Sequence, residues 1–461
     1  MTSERAPQGA DCEGEDRADR DDRADGDDRT DGDNRAGGND RTDEDGREAG
    51  LGEPARWTAR TRRFRRLPPA VTPLSAGDLL AGLAGQRAGT GRDEFRAEIA
   101  GFLDATSTGT YTSFRRALCA CLLALSAADD EDRTNVLVPA FCSSDFPEAI
   151  DGAGLNAVRY DVDPASLALD PEAAAAKLDA DTLALVSVNV LGYGSELDRI
   201  ASHCESVGAF LVEALGYAVG ASYDGDRLGT FGDCSVLNFQ QGKPIPVGGG
   251  MVASRDPDVE FADEGREPVA PNVAALSGYA ALGRPRPYYC YSRVTSLLDR
   301  HGGSATRHST HPESKFDVPY APPFATMSDF QGAIGRRVFG RLGDDRRHRD
   351  RTATAYAAEL ANCPHVDRVR PVAGLSDHQH VRYPLLVDDP AVRDEVAAAL
   401  DELGVEASPL YDWPPIEPER FPGAARLQRE ILTLPTHPYV DAADRRRIAR
   451  TIRRVAERDR S

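Results

Sequence analysis

Lysine is nearly missing from this chain. Of the 55 basic residues among 461, three are lysine (Lys177, Lys243 and Lys315) and the other 52 are arginine. Arginine serves wherever only positive charge is needed. Its guanidinium keeps its proton near neutral pH, however, so it cannot form a Schiff base. A lysine kept on a loop after an apolar strand is therefore either a candidate amine nucleophile or an ordinary surface lysine. Lys243, in a Gly-Lys-Pro tripeptide followed closely by three glycines, is so placed. Cysteine is also thinly spread. The eight cysteines form no CxxC pair and no dense framework, which argues against a structural zinc and predicts a reducing, cytoplasmic compartment; no metal site is expected. The longest apolar run, near residues 117–128, is too short to span a bilayer, and the polar, acidic opening predicts no signal peptide. No dominant basic face offsets the net charge of -20, which argues against nucleic acid as a partner. The Gly-x4-Gly-Lys-Ser/Thr pattern is missing, so Gly248, Gly249 and Gly250 are read as a tight turn and not as a nucleotide P-loop.

What is present divides unevenly. Residues 1–50 carry 18 acidic and 8 basic groups, net -10, and the other 411 residues share the remaining -10. Repeated Asp-Arg and Asp-Gly units without hydrophobic periodicity bury too little apolar area to offset ordering entropy, so this segment is expected to be disordered. Arg56 to Arg66 reads as a basic linker. The segment 1–66 is thus set apart as tail and linker. Acid richness with so little lysine resembles a salt-adapted, halophilic proteome.

From residue 67 the pattern is globular. Residues 93–104 have helical spacing, and TGTYTSFRRALCACLLALSA runs from a Gly/Thr/Ser turn into an apolar helix. Such a helix start offers N–H groups and hydroxyls to an anion, although an ordinary N-cap looks the same. Strands are then expected at 135–139, 156–160, 182–190 and 209–213, with helices at 144–153, 171–179 and 197–207. Apolar strands separated by helices predict a doubly wound, mostly parallel sheet whose ligands sit at the strands' carboxyl ends. The turn before Arg115, the NVLGYG loop, the residues after Glu213 and the Lys243 loop all fall there. Residues 254–325 are Pro- and polar-rich and are left unassigned. After Met327 come two helical runs, a strand (VRYPLLV), a helix and a last helix after LTLPTHP. The expected division is a large α/β domain over 67–325 and a smaller α+β domain over 326–461.

The order of these segments resembles the DegT/DnrJ/StrS-type family of pyridoxal-phosphate (PLP) aminotransferases. LVPAFCSSDFPEAIDGAGLNAVRYDVDPASLALDP resembles the family's strand–helix–strand ending in "D-x-D-P". VNVLGYGSELDRIASHC resembles its "H-L-y-G-x-x-x-D" segment, and FQQGKPIPVGGGMV the Schiff-base segment of a Gly-Lys-Pro subgroup. MSDFQGAIGRR and LTLPTHPYVDAAD resemble its small-domain helix and C-terminal signature. The likeness runs from about residue 67 to the end. It implies the aspartate-aminotransferase fold (PLP fold type I), PLP as cofactor, a sugar or nucleotide-sugar acceptor, an amino donor such as glutamate, and a homodimer with active sites at its interface.

By the same resemblance Lys243 is the Schiff-base lysine and proton shuttle. Thr112, Ser113 and Arg115 match a phosphate-binding turn, with Phe114 in place of its glycine, and Asn238 stands where a phosphate-binding serine is common. Asn189 stands at the family's histidine. Tyr217 stands at the glutamine of "E-D-x-A-Q", and Ala214 at the aspartate that pairs with the pyridine nitrogen. Glu213 is adjacent, but consecutive strand side chains point to opposite faces, so it is not expected to substitute. Three functions follow in order of weight: an active PLP aminotransferase of glycan biosynthesis, a PLP-binding but catalytically weakened relative with a regulatory or scaffold role, and a non-enzymatic partner protein working through its tail.

Overall fold

The computed structural model of the protein describes residues 64–262, 265, 268–300, 324–411 and 415–458. Most of the expected acidic tail and linker, residues 1–63, lies outside the described residues, as does Lys315. Arg65 and Arg66 are not free linker residues. Arg65 pairs with Asp444 at 2.7 Å, and Arg66 with Asp401 at 2.5 Å and Glu406 at 3.3 Å.

The chain opens with α1 (Ala76–Ala88), started by a capping box between Ser75 and Asp78, and α2 (Gly91–Leu103). Then follow β1 (Ser107–Tyr111), α3 (Phe114–Ala128), β2 (Asn135–Pro139), α4 (Asp145–Gly152), β3 (Asn156–Tyr160), α5 (Pro171–Ala175), β4 (Thr182–Val188), α6 (Leu197–Val207) and β5 (Phe210–Ala214). A short hairpin of β6 (Ser222–Tyr223) and β7 (Asp226–Arg227) leads to β8 (Cys234–Asn238), the Lys243 loop and β9 (Gly250–Ser254). Helices α7 (Val269–Leu282), α8 (Pro285–Arg300), α9 (Asp329–Phe339) and α10 (Leu342–Glu359) come next. The chain ends with β10 (Val366–Arg368), β11 (Leu375–Ser376), β12 (Arg382–Val387), α11 (Pro390–Glu402), α12 (Pro422–Glu430), β13 (Ile431–Pro435) and α13 (Ala442–Arg458).

Three elements differ from expectation for local reasons. Helix α5 stops at Ala175, short of residue 179, because Asp179 accepts from Thr182 Oγ1 (2.7 Å) and Asp181 N (3.1 Å), and such a side-chain turn competes with helix. Strand β4 stops at Val188, because Asn189 turns into a 3-10 segment with Leu191 in the left-handed region. The unassigned stretch holds α7 and α8. Their prolines (Pro271, Pro285 and Pro287) sit in first turns, where the missing N–H costs little.

The main sheet runs β1-β9-β8-β5-β4-β2-β3. Strands β2, β3, β4, β5 and β8 pair in parallel, and β9 is antiparallel to both β8 and β1. Its strands are apolar on both faces because helices cover both, as a mostly parallel sheet requires. Val136, Val138, Ala184, Val186, Val212 and Val236 share a core with the α3 residues Leu118 and Leu122. Leu137, Leu185, Leu211 and Leu237 share the opposite core with Phe95 and Ile99 of α2 and Phe330 and Ile334 of α9. A third core joins the sheet β10-β12-β13 to α10, α11 and α13 through Tyr356, Leu385, Val396, Leu432 and Ile452. The mostly parallel α/β fold expected from the sequence is the one observed.

Candidate active site

The loop between β8 and β9 is closed at its base by two backbone bonds, Phe239 N to Gly249 O (3.0 Å) and Gly248 N to Phe239 O (2.6 Å). Ile245 and Val247 anchor its far side in the core. Three side-chain bonds hold it from outside. Thr72 Oγ1 donates to Lys243 O (2.9 Å), Arg349 Nη2 donates to that same Thr72 hydroxyl (2.6 Å), and Gln331 Nε2 donates to Val247 O (3.1 Å). The Lys243 backbone is therefore fixed, and the residue is 7 % exposed.

The Lys243 amine lies over the Tyr217 ring, with Nζ 3.3 Å from the ring centroid. It also stands above Gly216. A Cβ there would come 3.7 Å from Nζ and 3.2 Å from the Asn238 Cβ, so the bare glycine keeps the space by the amine open. Burial pushes the Lys243 pKa down, and the positive Arg382 adds to this, while Tyr217 and Asp145 oppose it. For Tyr217, burial pulls upward, but the charges of Lys243 and Arg382 win and the phenol lies below its ordinary range. Tyr411, whose ring packs on Phe141 at 5.2 Å, feels Tyr217, Arg382 and Asp145.

At the start of α3, Ser113 is an N-cap that accepts from Arg116 N at 3.3 Å. Thr112 donates its N–H to Ala325 O (3.1 Å), and its hydroxyl accepts from Arg116. Arg115 pairs with Asp145 (Nε to Oδ1, 3.1 Å) and with Glu148. The expected phosphate-binding arginine thus already holds two carboxylates. The glycine run does more than turn. A Cβ on Gly249, whose φ is +85°, would meet Tyr111 O at 2.5 Å, so the run lets the lysine loop close against the turn that starts α3.

Ala214 ends β5 on the face that carries Val212 and α3. Glu213 points the other way, as strand alternation predicts. Its carboxylate accepts N–H groups from Gly229 (2.7 Å), Phe231 (2.8 Å) and Gly232 (2.8 Å) and shapes the turn into β8. Burial raises its pKa in spite of these three donors. Asn189 Nδ2 donates weakly to Ala214 O (3.4 Å), and its Oδ1 is buried without a partner. Asn238 is engaged locally, accepting from Gln240 N at 2.9 Å and donating to Gln240 Oε1 at 3.2 Å.

The structure therefore brings Lys243, Tyr217 and Asn238 together around Gly216, places Asn189 beside Ala214, and sets Ser113 against the glycine run, with Thr112 and Arg115 next to it in the chain and bonded elsewhere. Sequence reasoning missed Asp145, Arg382, Tyr411, Thr72 and Arg349. Arg382 left one trace, a charge at the edge of an otherwise apolar run, VRYPLLV. The others carried no local signal. Thr72 reaches the lysine loop from 171 residues before Lys243, and Arg349, which holds Thr72, lies 277 residues after Thr72.

Residues 78–453 match the family described as the DegT/DnrJ/EryC1/StrS aminotransferase family. The chain is similar to a dTDP-4-dehydro-2,3,6-trideoxy-D-glucose 4-aminotransferase of Saccharopolyspora spinosa, 26 % identical over 348 residues, covering 73 % of this chain and 82 % of that one. It is similar to a GDP-perosamine synthase of Caulobacter vibrioides, 25 % identical over 343 residues, covering 72 % and 82 %. Its fold is similar to that of the solved aminotransferase TlmJ from Streptoalloteichus hindustanus, with a TM-score of 0.66 at 23 % identity, covering 86 % of this chain and all of that one.

Proposed function

This chain belongs to the DegT/DnrJ/EryC1/StrS aminotransferase family, and from that premise we propose that Lys243 carries its cofactor and that the acceptor is a nucleotide-linked keto-sugar. The protein is an aminotransferase and its cofactor is PLP. The residues present suit that group at two places. Lys243 offers a buried amine over an open glycine, and the start of α3 offers first-turn N–H groups to a phosphate. At a third place they would not suit it, because by the resemblance Ala214 stands where a carboxylate usually pairs with the pyridine nitrogen, and a methyl group would supply no charge there.

When bound, PLP supplies the electron sink that stabilises charge on the substrate carbon. The protein's own residues do the rest. The lowered pKa of Lys243 leaves Nζ more often neutral, so this nitrogen can take a proton from the substrate carbon and return it. Tyr217 fixes where Nζ stands. Thr72 and Arg349 keep the loop backbone from moving as the proton passes. The observation that carries the assignment is the burial of the Lys243 amine at the strand ends, whereas Lys177 is exposed.

Ala214 favours a second reading, a cofactor-binding family member with weakened turnover. One experiment separates the two. The protein is loaded with PLP, its visible spectrum is recorded, and amino donors are added. A lysine-linked band that a donor bleaches supports the aminotransferase with Lys243 in this role. A band that no donor bleaches supports the weakened reading, and a band unchanged in Lys243→Ala removes Lys243 from both.

A homodimer and a cytoplasmic location belong to the same proposal. Leu282, Tyr291 and Val294 are exposed on α7 and α8, which suits cover by a second copy. Among the described residues no helix is long and apolar enough to cross a membrane. The division into a larger and a smaller domain is also proposed, with α9 on the larger side, since Phe330, Ile334 and Val338 share its core.

A further inference from the structure

We infer that a small monovalent anion of the halide class binds at Arg349, with Tyr279 as its second donor, in a site joined to the lysine loop through Thr72. Arg349 lies on α10 and is fully buried. Its guanidinium keeps its proton near neutral pH, so a whole positive charge is enclosed. Buried charges are stable only where they are paired. Among the described residues the one hydrogen bond of Arg349 runs from Nη2 to the Thr72 hydroxyl (2.6 Å), a neutral partner. Nε and Nη1 are buried with no partner. The neighbouring carboxylates of α10 face other groups. Asp345 Oδ2 stands 4.0 Å from Arg341 Nε, and Asp350 Oδ1 stands 3.7 Å from His380 Nε2. Burial pushes His380 and His437 down, and the charge of Arg349 adds to this in both, so that charge is not cancelled where it stands.

A second donor stands at the same place. Thr72 donates its N–H to Tyr279 Oη (3.0 Å) while its hydroxyl takes the Arg349 bond, so tyrosine and arginine flank one residue. Tyr279 Oη is an acceptor there, and its own O–H has no acceptor among the described residues. The Thr72 hydroxyl gives its only proton to Lys243 O (2.9 Å), so it cannot serve the anion, but it ties the site to the lysine loop. Full burial of Arg349 excludes a bulky anion, and one uncancelled positive charge calls for one negative charge. A halide meets both conditions and accepts N–H and O–H bonds from any direction. Water satisfies the N–H groups and leaves the charge unpaired. The inference does not depend on what Lys243 carries.

The test uses the full-length, cofactor-free protein. Urea unfolding is followed in rising sodium chloride and in sodium gluconate at matched ionic strength, which screens surface charge equally but is too large for an enclosed site. Chloride is expected to raise the folding constant saturably above its value in gluconate, about 100-fold at roughly 100 times the chloride Kd. In Arg349→Gln the difference between the two salts is expected to vanish. In Tyr279→Phe half-saturation is expected to need about fivefold more chloride, the worth of one hydrogen bond. Equal stabilisation by the two salts in wild type overturns the inference, and so does a chloride effect undiminished in Arg349→Gln. Should Arg349→Gln fail to fold, wild-type crystals soaked in bromide decide. An anomalous peak in contact with Arg349 supports the site, and no peak there overturns it.

Discussion

Replacing Glu213 with glutamine separates the roles of two adjacent positions. The Glu213 carboxylate is buried and accepts three backbone N–H groups, two on Oε1 and one on Oε2. Glutamine keeps one acceptor oxygen. In its best orientation that oxygen retains Phe231 and Gly232, and the amide NH2 faces the Gly229 N–H. One buried donor then loses its acceptor, which costs about 1–3 kcal/mol. Alanine leaves all three donors without an acceptor. The loss is then roughly 4 kcal/mol, toward the lower end of three such penalties because water can enter the vacated space. The assay is urea unfolding of the cofactor-free protein, paired with a spectral titration of PLP affinity. Glu213→Gln is expected to lose about 2 kcal/mol of stability and to keep its PLP affinity. Unchanged stability with PLP binding weakened more than about tenfold would refute the reasoning, since it would make Glu213 a ligand of the cofactor ring in place of Ala214.

Two further outcomes follow from the same geometry. Ala214→Asp puts a carboxylate on the face that carries α3, and a charge-assisted bond worth about 1.5–3 kcal/mol is expected to tighten PLP about tenfold or more while destabilising the cofactor-free protein. Unchanged affinity in the spectral titration would mean that the end of β5 does not face the ring nitrogen. Burial pushes His437 down to about 3 and His380 down to about 4, aided by nearby Arg349 in both cases. Both folded values lie below the unfolded value near 6.5, so the unfolded chain binds more protons between them, and stability is present above about pH 6.5 and lost on acidification. At pH 5 the loss is about 2 kcal/mol for each histidine, and urea unfolding at pH 7.5 and 5 should show it reduced by that amount in His437→Gln. An identical pH dependence in the variant contradicts the buried neutral histidine.

The parallel sheet was legible because β2, β4 and β5 are short apolar runs spaced by amphipathic helices, and burial on both faces leaves no other pattern. The opposite orientations of Glu213 and Ala214 were legible from strand alternation alone. Helices α7 and α8 were not, since prolines that read as breakers fall where a helix tolerates them. The lysine, the glycine run and the strand-end asparagines are local features, and the sequence located them. The partners of that lysine are not local. Thr72 before α1, Arg349 on α10 and Arg382 on β12 arrive from distant segments of the chain, and no spacing rule records that. Arg115 shows the same limit, because its carboxylate partners Asp145 and Glu148 lie one helix further on and change what the arginine is free to bind.

Of the three lysines, Lys243 is the one proposed to carry the cofactor. Reducing the PLP-loaded protein with borohydride fixes the cofactor to its lysine, and mass spectrometry of the digest locates it. The cofactor is expected on the peptide containing Lys243 and is expected to be absent from it after Lys243→Ala. The label on Lys177 or Lys315 in the wild-type protein, or no label on any peptide, would contradict that assignment.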